Sequence, residues 1–541
     1  MNSLPSSPGA GDSGTDSAPS PLRNPVFRML WGVWITANLC MWMNDVAAAW
    51  LMTTLTTSPL MVALVQTAST LPVFLLGLPS GALADIVDRR RIFLFTQVWV
   101  AVVGLVACAF VFSGTISPPL LIALTFANGI GLALRWPVFA ALVPELVERR
   151  QLSQALALNA IAMNVSRIGG PVIAGAVIAA AGSAYVYLLN AVLSIGATLV
   201  LSRWRRAVKD KAKALPGERF IGAIRIGLQH VRQSTPMRTA LLRISLFFMQ
   251  GAALPALLPL VAKGLGGGSA ATFTLLLACI GVGAIVAALW LPRLRLGMSR
   301  DRLVTACTVL HSVMMVVVSY APNVYVAVPA LMIVGATWIS VANTVTLSAQ
   351  LVLPDWVRAR GMSIYQMAMM GSSALGAAFW GQVATLTDVH AAIVGAAVVA
   401  LAALAATRRR TLDDTESDDL TPTDQIRAPE AGRAIAPDDG PVIVTVEYRI
   451  APENVAAFHA VMQESRRSRL RQGVLSWELL RDTADPDVYI EHFIDETWAD
   501  HLRRFDRMTA ADVGLRERRL ALHAGDAPPR ITRRIAEAID G

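Results

Sequence analysis

Charged side chains are scarce in this sequence. Asp, Glu, Lys and Arg make up 16% of the 541 residues, where a soluble protein carries about 25%. Hydrophobic residues make up 54%, so an ordinary water-soluble enzyme is excluded as the whole of the chain. Cysteine is nearly absent. Cys40, Cys108, Cys279 and Cys307 each sit inside an apolar run, and no pair has metal-ligand spacing. That excludes a disulfide scaffold and a cysteine-held metal, and no metal or cofactor is expected. There is no Gly-x-x-x-x-Gly-Lys-Ser/Thr loop to hold a nucleotide and no Ser–His–Asp elbow. Energy for any transport must then come from a gradient. The first 20 residues contain no Lys or Arg and no apolar core, so they lack the form of a signal peptide. They are rich in Ser, Pro and Gly, and 1–24 reads as a disordered tail.

What the chain has is long apolar runs. They lie near 31–52, 60–84, 92–112, 120–141, 157–180, 184–202, 240–262, 271–291, 303–320, 325–346, 363–385 and 389–406. A membrane-spanning helix needs roughly 17–25 residues, and these runs meet that need. The fold class expected is an all-α membrane protein of 12 spans in two six-helix bundles, 25–202 and 240–410. Lys and Arg concentrate in every second loop: Arg89 to Arg91, Arg149 and Arg150, the stretch 203–243, Arg293 to Arg302, Arg358 and Arg360, and Arg408 to Arg410. Lys263 is the exception in the other set. Basic loops mark the cytoplasmic side, which puts both termini in the cytoplasm of a multi-pass protein in the cell inner (plasma) membrane. The same placement accounts for the net charge of +9 without a nucleic-acid partner.

The loop 203–239 separates six spans from six. Within it, Phe220, Ile224, Leu228 and Val231 share a helical face flanked by Arg219, Arg225 and Arg232, the pattern of an interfacial amphipathic helix. The halves also repeat. Val143-Pro144-Glu145 with Arg149-Arg150 recurs 210 positions on as Leu353-Pro354-Asp355 with Arg358 and Arg360, a mark of parallel repeats in a transporter.

After Arg410 the composition changes. Residues 411–440 are acidic and rich in Thr and Pro, which reads as a flexible linker. Residues 441–541 read as a small α+β unit. Strands are expected at 442–450, 474–480, 488–494 and 530–536, and helices begin at Pro452 and Thr497. The order βαββαβ is the ferredoxin-like split βαβ.

Gly81, the Ala84-Asp85 pair and Arg89-Arg90-Arg91 close the second span. This stretch resembles the signature loop of the major facilitator superfamily, with Asp88 where glycine is common and Ile86 where a basic residue is common. Helix 5 carries Arg167 followed by Gly169-Gly170-Pro171 and Gly175, which resembles the Gly-Pro antiporter motif of superfamily exporters. With segments 42–50, 55–59 and 164–171, residues 25–406 look like the enterobactin-exporter-like branch of that superfamily. The tail resembles antibiotic-biosynthesis-monooxygenase-like, dimeric α/β barrel domains. The resemblance implies the major facilitator fold, proton-driven export of a small organic molecule by alternating access, a gating loop at Gly81, Asp85, Arg89 and Arg90, and a bend at Gly170, Pro171 and Gly175.

Ionisable residues inside spans are costly, by roughly 2.5–3.5 kcal/mol each on insertion scales, so each needs a partner or a cavity. Asp45, Arg135 and Arg167 stand out. Asp45 is the candidate proton carrier, and a structural ion pair with Arg167 is the plainer alternative. Arg135 either lines the path or snorkels to the surface. His311 reads as a packed polar residue. Two competing readings remain. One is a membrane-tethered enzyme whose tail lines a pocket with His459, Trp477, His492 and His501, and the other is a protein that binds partners through the tail. The partners expected are the lipid bilayer, protons, a small organic substrate and a second copy of the tail domain.

Overall fold

A computed structural model describes residues 20–86, 88–148, 151–204, 220–265, 268–412 and 434–537, with single positions in the linker between. The expected tail lies outside the described residues as far as position 19. The N-terminal bundle comprises α1 (Pro25–Leu55), α2 (Pro59–Ile86), α3 (Arg89–Phe112), α4 (Pro118–Leu146), α5 (Leu152–Ala181) and α6 (Ser183–Arg203). After α7 (Phe220–Gln233), the second bundle comprises α8 (Thr235–Gly251), α9 (Ala253–Gly264), α10 (Ala270–Gly297), α11 (Arg300–Ser319), α12 (Val324–Leu351), α13 (Asp355–Leu386) and α14 (Val389–Thr407). Short polar caps start them. Asn24, Ser234, Ser269, Ser299, Asn323 and Asp388 each accept a backbone N–H from the first turn of the helix that follows.

Among the described residues, 10 helical segments are long and apolar enough to cross a membrane, counting α8 and α9 as one. Helices α1 and α13 have 31 and 32 residues, ample at 1.5 Å per residue, but are less apolar. The run 240–262, expected as one helix, is broken at Ala252. Pro255 follows Gly251 there and lacks the N–H that would pair with the Gly251 carbonyl and continue the ladder.

The core is organised by end. At the end holding Leu55 and Pro59, one hydrophobic cluster runs through both bundles, from Met43, Val46 and Met52 to Leu254, Leu257, Phe273, Val334 and Trp380. At the end holding Pro25 and Thr407, the bundles have separate clusters. One is built on Phe27, Trp34, Phe93 and Phe139, and the other on Ile244, Phe247, Val345 and Tyr365. Among the described residues, a shared hydrophobic cluster thus joins the two halves at the first of these ends, and the second end has a separate cluster in each half.

The tail domain holds β1 (Val442–Arg449), α15 (Val455–Gln472), β2 (Ser476–Arg481), β3 (Val488–Asp495), α16 (Trp498–Asp506), α17 (Ala510–Ala521) and β4 (Arg530–Ile535). Its sheet order β2-β3-β1-β4, antiparallel throughout, is that of the split βαβ expected. Val442, Val444, Val446, Tyr489 and Phe493 alternate onto the face that Phe458 and Met462 of α15 cover.

The amphipathic helix α7 corrects one expectation. It forms where the pattern places it, but it does not rest on the membrane surface alone. Leu228, on the expected apolar face, is 56% exposed, while Ile226, His230 and Val231 are buried. The partner is the tail domain. Arg225 donates to Glu496 at 2.6 Å, Gln229 donates to the Val474 carbonyl at 3.0 Å, and Ile226 packs on Gly473. Parts of the linker also hold to the tail. The backbone N–H groups of Ala511 and Ala510 donate to the carbonyls of Asp419 and Thr421. The rest of the acidic segment falls mostly outside the described residues.

Candidate functional site

Asp45 lies half-buried on α1, and its carboxylate accepts a hydrogen bond of 2.9 Å from Ser69 of α2. Arg167 makes no hydrogen bond or ion pair among the described residues. The Asp45–Arg167 ion pair weighed from the sequence is therefore not formed. Helical geometry gives the reason. α5 approaches α1 at Leu39, Trp42 and Met43, where Gly170 packs. Asp45 is two residues beyond Met43, about 200° further round the helix, and so faces α2 instead. Arg135 does not snorkel. It is 3% exposed, and its guanidinium lies 5.7 Å over the Trp34 ring, which itself stacks on Phe139 at 3.9 Å. His311 is buried against Thr337, Phe247 and Trp338, as a packed polar residue would be.

The glycines of helix 5 have two different neighbours. A Cβ on Gly170 would strike Trp42 within the N-terminal bundle, whereas one on Gly175 would strike Thr274 of α10, across the bundles. Pro171 sits inside an unbroken α5 and removes the N–H that would pair with the Arg167 carbonyl. Other glycines serve the same inter-bundle seams. Gly281 of α10 meets Ile168 of α5, and on the opposite side Gly77 meets Met367 while Gly371 meets Phe74, between α2 and α13. Small residues let helices meet closely where lipid supplies no hydrophobic drive.

The sealed end is fastened by polar contacts that sequence reasoning did not select. Lys263 of α9 donates to the Thr53 carbonyl of α1 and lies 6.0 Å over Trp50. Trp50 stacks on Phe273 at 6.1 Å, and Thr67 donates to the Ala374 carbonyl at 2.9 Å. The signal for Lys263 was present, as the one basic residue out of step with the loop alternation. A charge-assisted hydrogen bond contributes roughly 1.5–3 kcal/mol. Lys263→Ala is expected to loosen this end by about tenfold or more, 1.4 kcal/mol being tenfold. The measurement is the maleimide labelling rate of a cysteine introduced at the buried Ala256, with the native cysteines replaced. An unchanged rate removes Lys263 from the fastening of this end.

The signature loop is only partly within reach. The surroundings of Gly81 and the side chain of Asp85 lie outside the described residues. Arg90 donates to the Ser202 carbonyl at 2.7 Å, tying α3 to the end of α6. Asp88, which departs from the usual glycine, has a structural reason. Its φ is −55°, which needs no glycine, and its carboxylate caps α3 by accepting the Arg90 N–H at 2.8 Å.

In the tail, the four candidate pocket residues are not brought together. Trp477 donates to Glu491 on the covered face of the sheet, while His492 points to the opposite face beside Glu478. His501 is buried against Asp495 at 2.7 Å, and His459 meets the edge of Tyr489. Glu491 is enclosed by arginines. Burial works to raise its pKa, but Arg469 and Arg519 overcome this and hold it at about 2. It is an anchored anion and not a poised base.

Residues 16–540 match the family model described as "Transmembrane secretion effector". The Staphyloferrin A transporter of Staphylococcus aureus (strain NCTC 8325 / PS 47) is 22% identical over 257 residues, 47% of this chain and 63% of that protein. The uncharacterized MFS-type transporter YfiS of Bacillus subtilis (strain 168) is 29% identical over 198 residues, 36% of this chain and 46% of that protein. The matched parts thus span less than two thirds of these relatives. Among solved structures, nucleoside transporter NupG superposes with a TM-score of 0.57 at 12% identity, covering 71% of this chain and 98% of that one. A bacterial homolog of the human lysosomal transporter Spinster, in its inward-facing and occupied conformation, gives 0.58 at 13% identity, covering 72% and 98%. At such identities the likeness is one of fold. The family match, by contrast, takes in nearly the whole chain, tail domain included, and with it the chain belongs to the transmembrane secretion effector family of the major facilitator superfamily, as a multi-pass membrane protein.

Proposed function

We propose that this protein is a proton-driven exporter of a small organic molecule, acting by alternating access between two six-helix bundles. Twelve spans, with α1 and α13 added to the ten apolar segments, leave both termini on one side of the inner membrane, and the basic loops support the cytoplasm as that side. The observation that carries the reading is the asymmetric seal: one shared core at one end, two separate cores at the other. Glycine-lined seams let the bundles rock about a site near the middle. Asp45 is the proton carrier, a carboxylate inside a span with a neutral hydroxyl as its partner. Arg167 and Arg135 line the path, and Gly81, Asp85, Arg89 and Arg90 form a gating latch. The Staphyloferrin A transporter makes siderophores the first substrates to test, with hydrophobic drugs next. The uncovered sheet face of the tail, with Ile443, Thr445, His492 and Ile494, supports self-association there.

The test uses the full chain in proteoliposomes under an imposed pH gradient. Substrate-dependent proton flux is expected. Asp85→Asn and Arg89→Ala should cut turnover while insertion stays normal. A protein that moves siderophore or drug without any proton flux defeats the proton-driven reading.

A further inference from the structure

A cavity of about 540 Å³ lies between the tail domain and the second bundle. That is within the range of small-molecule sites, roughly 300–1,000 Å³. It is walled by the junction of α7 and α8, the start of α11 at Arg300, the segment from α12 to Trp356 of α13, and the tail helices α15 and α17 with Arg507 between α16 and α17. Its ionisable lining is one-sided. Five arginines (Arg300, Arg467, Arg471, Arg507 and Arg518) face two carboxylates, Glu464 and Asp512, a net charge of +3. Both carboxylates have roles already. Glu464 takes the Arg518 guanidinium, and Asp512 closes the capping box of α17 with Thr509. His230 adds a neutral ring, since burial and the nearby Arg471 push its pKa down to about 4. Arg507 reaches from the tail over the Trp356 ring at 4.7 Å, so the two walls already touch.

We infer that this cavity binds a small multivalent anion carrying phosphate or carboxylate groups, and that its occupancy fastens the tail domain to the transport bundle. Guanidinium forks match such oxyanions in shape and charge. Because the site has walls from both bodies, an occupant stabilises the docked arrangement by linkage. The α12–α13 loop in its lining is the counterpart of the α4–α5 loop in the other half, so the docked tail holds a segment at the end where the two bundles have separate clusters. The same oxyanion chemistry is offered by a free polyanion and by an anionic lipid headgroup. The inference does not depend on which substrate is carried or on protons.

The experiment is calorimetric titration of the purified full chain with inorganic pyrophosphate. It is done in neutral detergent, in phosphatidylcholine vesicles, and in vesicles containing phosphatidylglycerol. Saturable binding is expected, weakened at least tenfold at about 0.3 M salt by screening. Arg467→Ala, at an exposed position of α15, should lower affinity about tenfold, and Arg467→Lys less. Pyrophosphate binding that persists with phosphatidylglycerol present assigns the site to a free anion, and binding lost only in those vesicles assigns it to the lipid headgroup. No saturable binding in detergent or phosphatidylcholine, or equal affinity in Arg467→Ala, overturns the inference.

Discussion

Asp45→Asn is expected to abolish accumulation driven by a pH gradient and to leave exchange down a substrate gradient measurable. The carboxylate sits within α1 and takes one hydrogen bond, from Ser69. An amide can accept the same bond, so the fold should tolerate the change. It cannot release or take a proton, so coupling should be lost completely. Arg167→Ala should reduce transport more generally, since Arg167 lies on α5 beside the seam with α10, where the Gly281 Cβ position is 3.8 Å from its carbonyl. Because Asp45 and Arg167 face different neighbours, their effects should add, without the rescue that breaking an ion pair would allow. Transport of substrate against its gradient by stable Asp45→Asn protein would falsify the carrier role. A double variant that outperforms Arg167→Ala would restore the ion pair.

Gly175→Val should cut turnover by more than tenfold while the protein remains abundant. A Cβ at Gly175 would lie 2.7 Å from the Thr274 Cβ, and no rotamer of Thr274 removes that overlap. The two bundles would be held apart at the α5–α10 seam, and each bundle would keep its own packing. Gly283→Ala makes the contrast. There the new methyl meets the Met332 carbonyl, main chain against main chain, inside one bundle. Overpacking of that kind typically costs about 1–3 kcal/mol, so the expected loss is of folded protein and not of turnover per molecule. Transport normalised to membrane abundance separates the two. Equal turnover in Gly175→Val and wild type would mean that the seam need not close this tightly.

Much of the fold was legible because its signals are local. Apolar runs of spanning length and alternating basic loops mark the spans, and period-two patterning marks the strands of the tail, whose order then followed from the split βαβ. The break at Ala252 is legible in Gly251 and Pro255, but hydropathy averages across it and shows one continuous run. Asp45 was found as the acid inside a span, whatever its partner. Its partner was not found, because choosing between Arg167 on α5 and Ser69 on α2 needs the rotation of α1 within the bundle. Lys263 was visible only as an irregularity in a pattern.

By itself the sequence determined the transmembrane character, the division into two halves and a tail, and which residues are costly enough in lipid to need a role. These follow from transfer free energies and short-range periodicity, which act residue by residue. Only the tertiary structure decided which end is sealed, that Gly170 serves one bundle while Gly175 serves the seam between two, and that α7 and the α12–α13 loop face the tail domain across an arginine-lined cavity. Those contacts join residues hundreds of positions apart, as Lys263 meets Thr53 and Arg225 meets Glu496. Their geometry is set by how whole helices pack, and no local pattern encodes it.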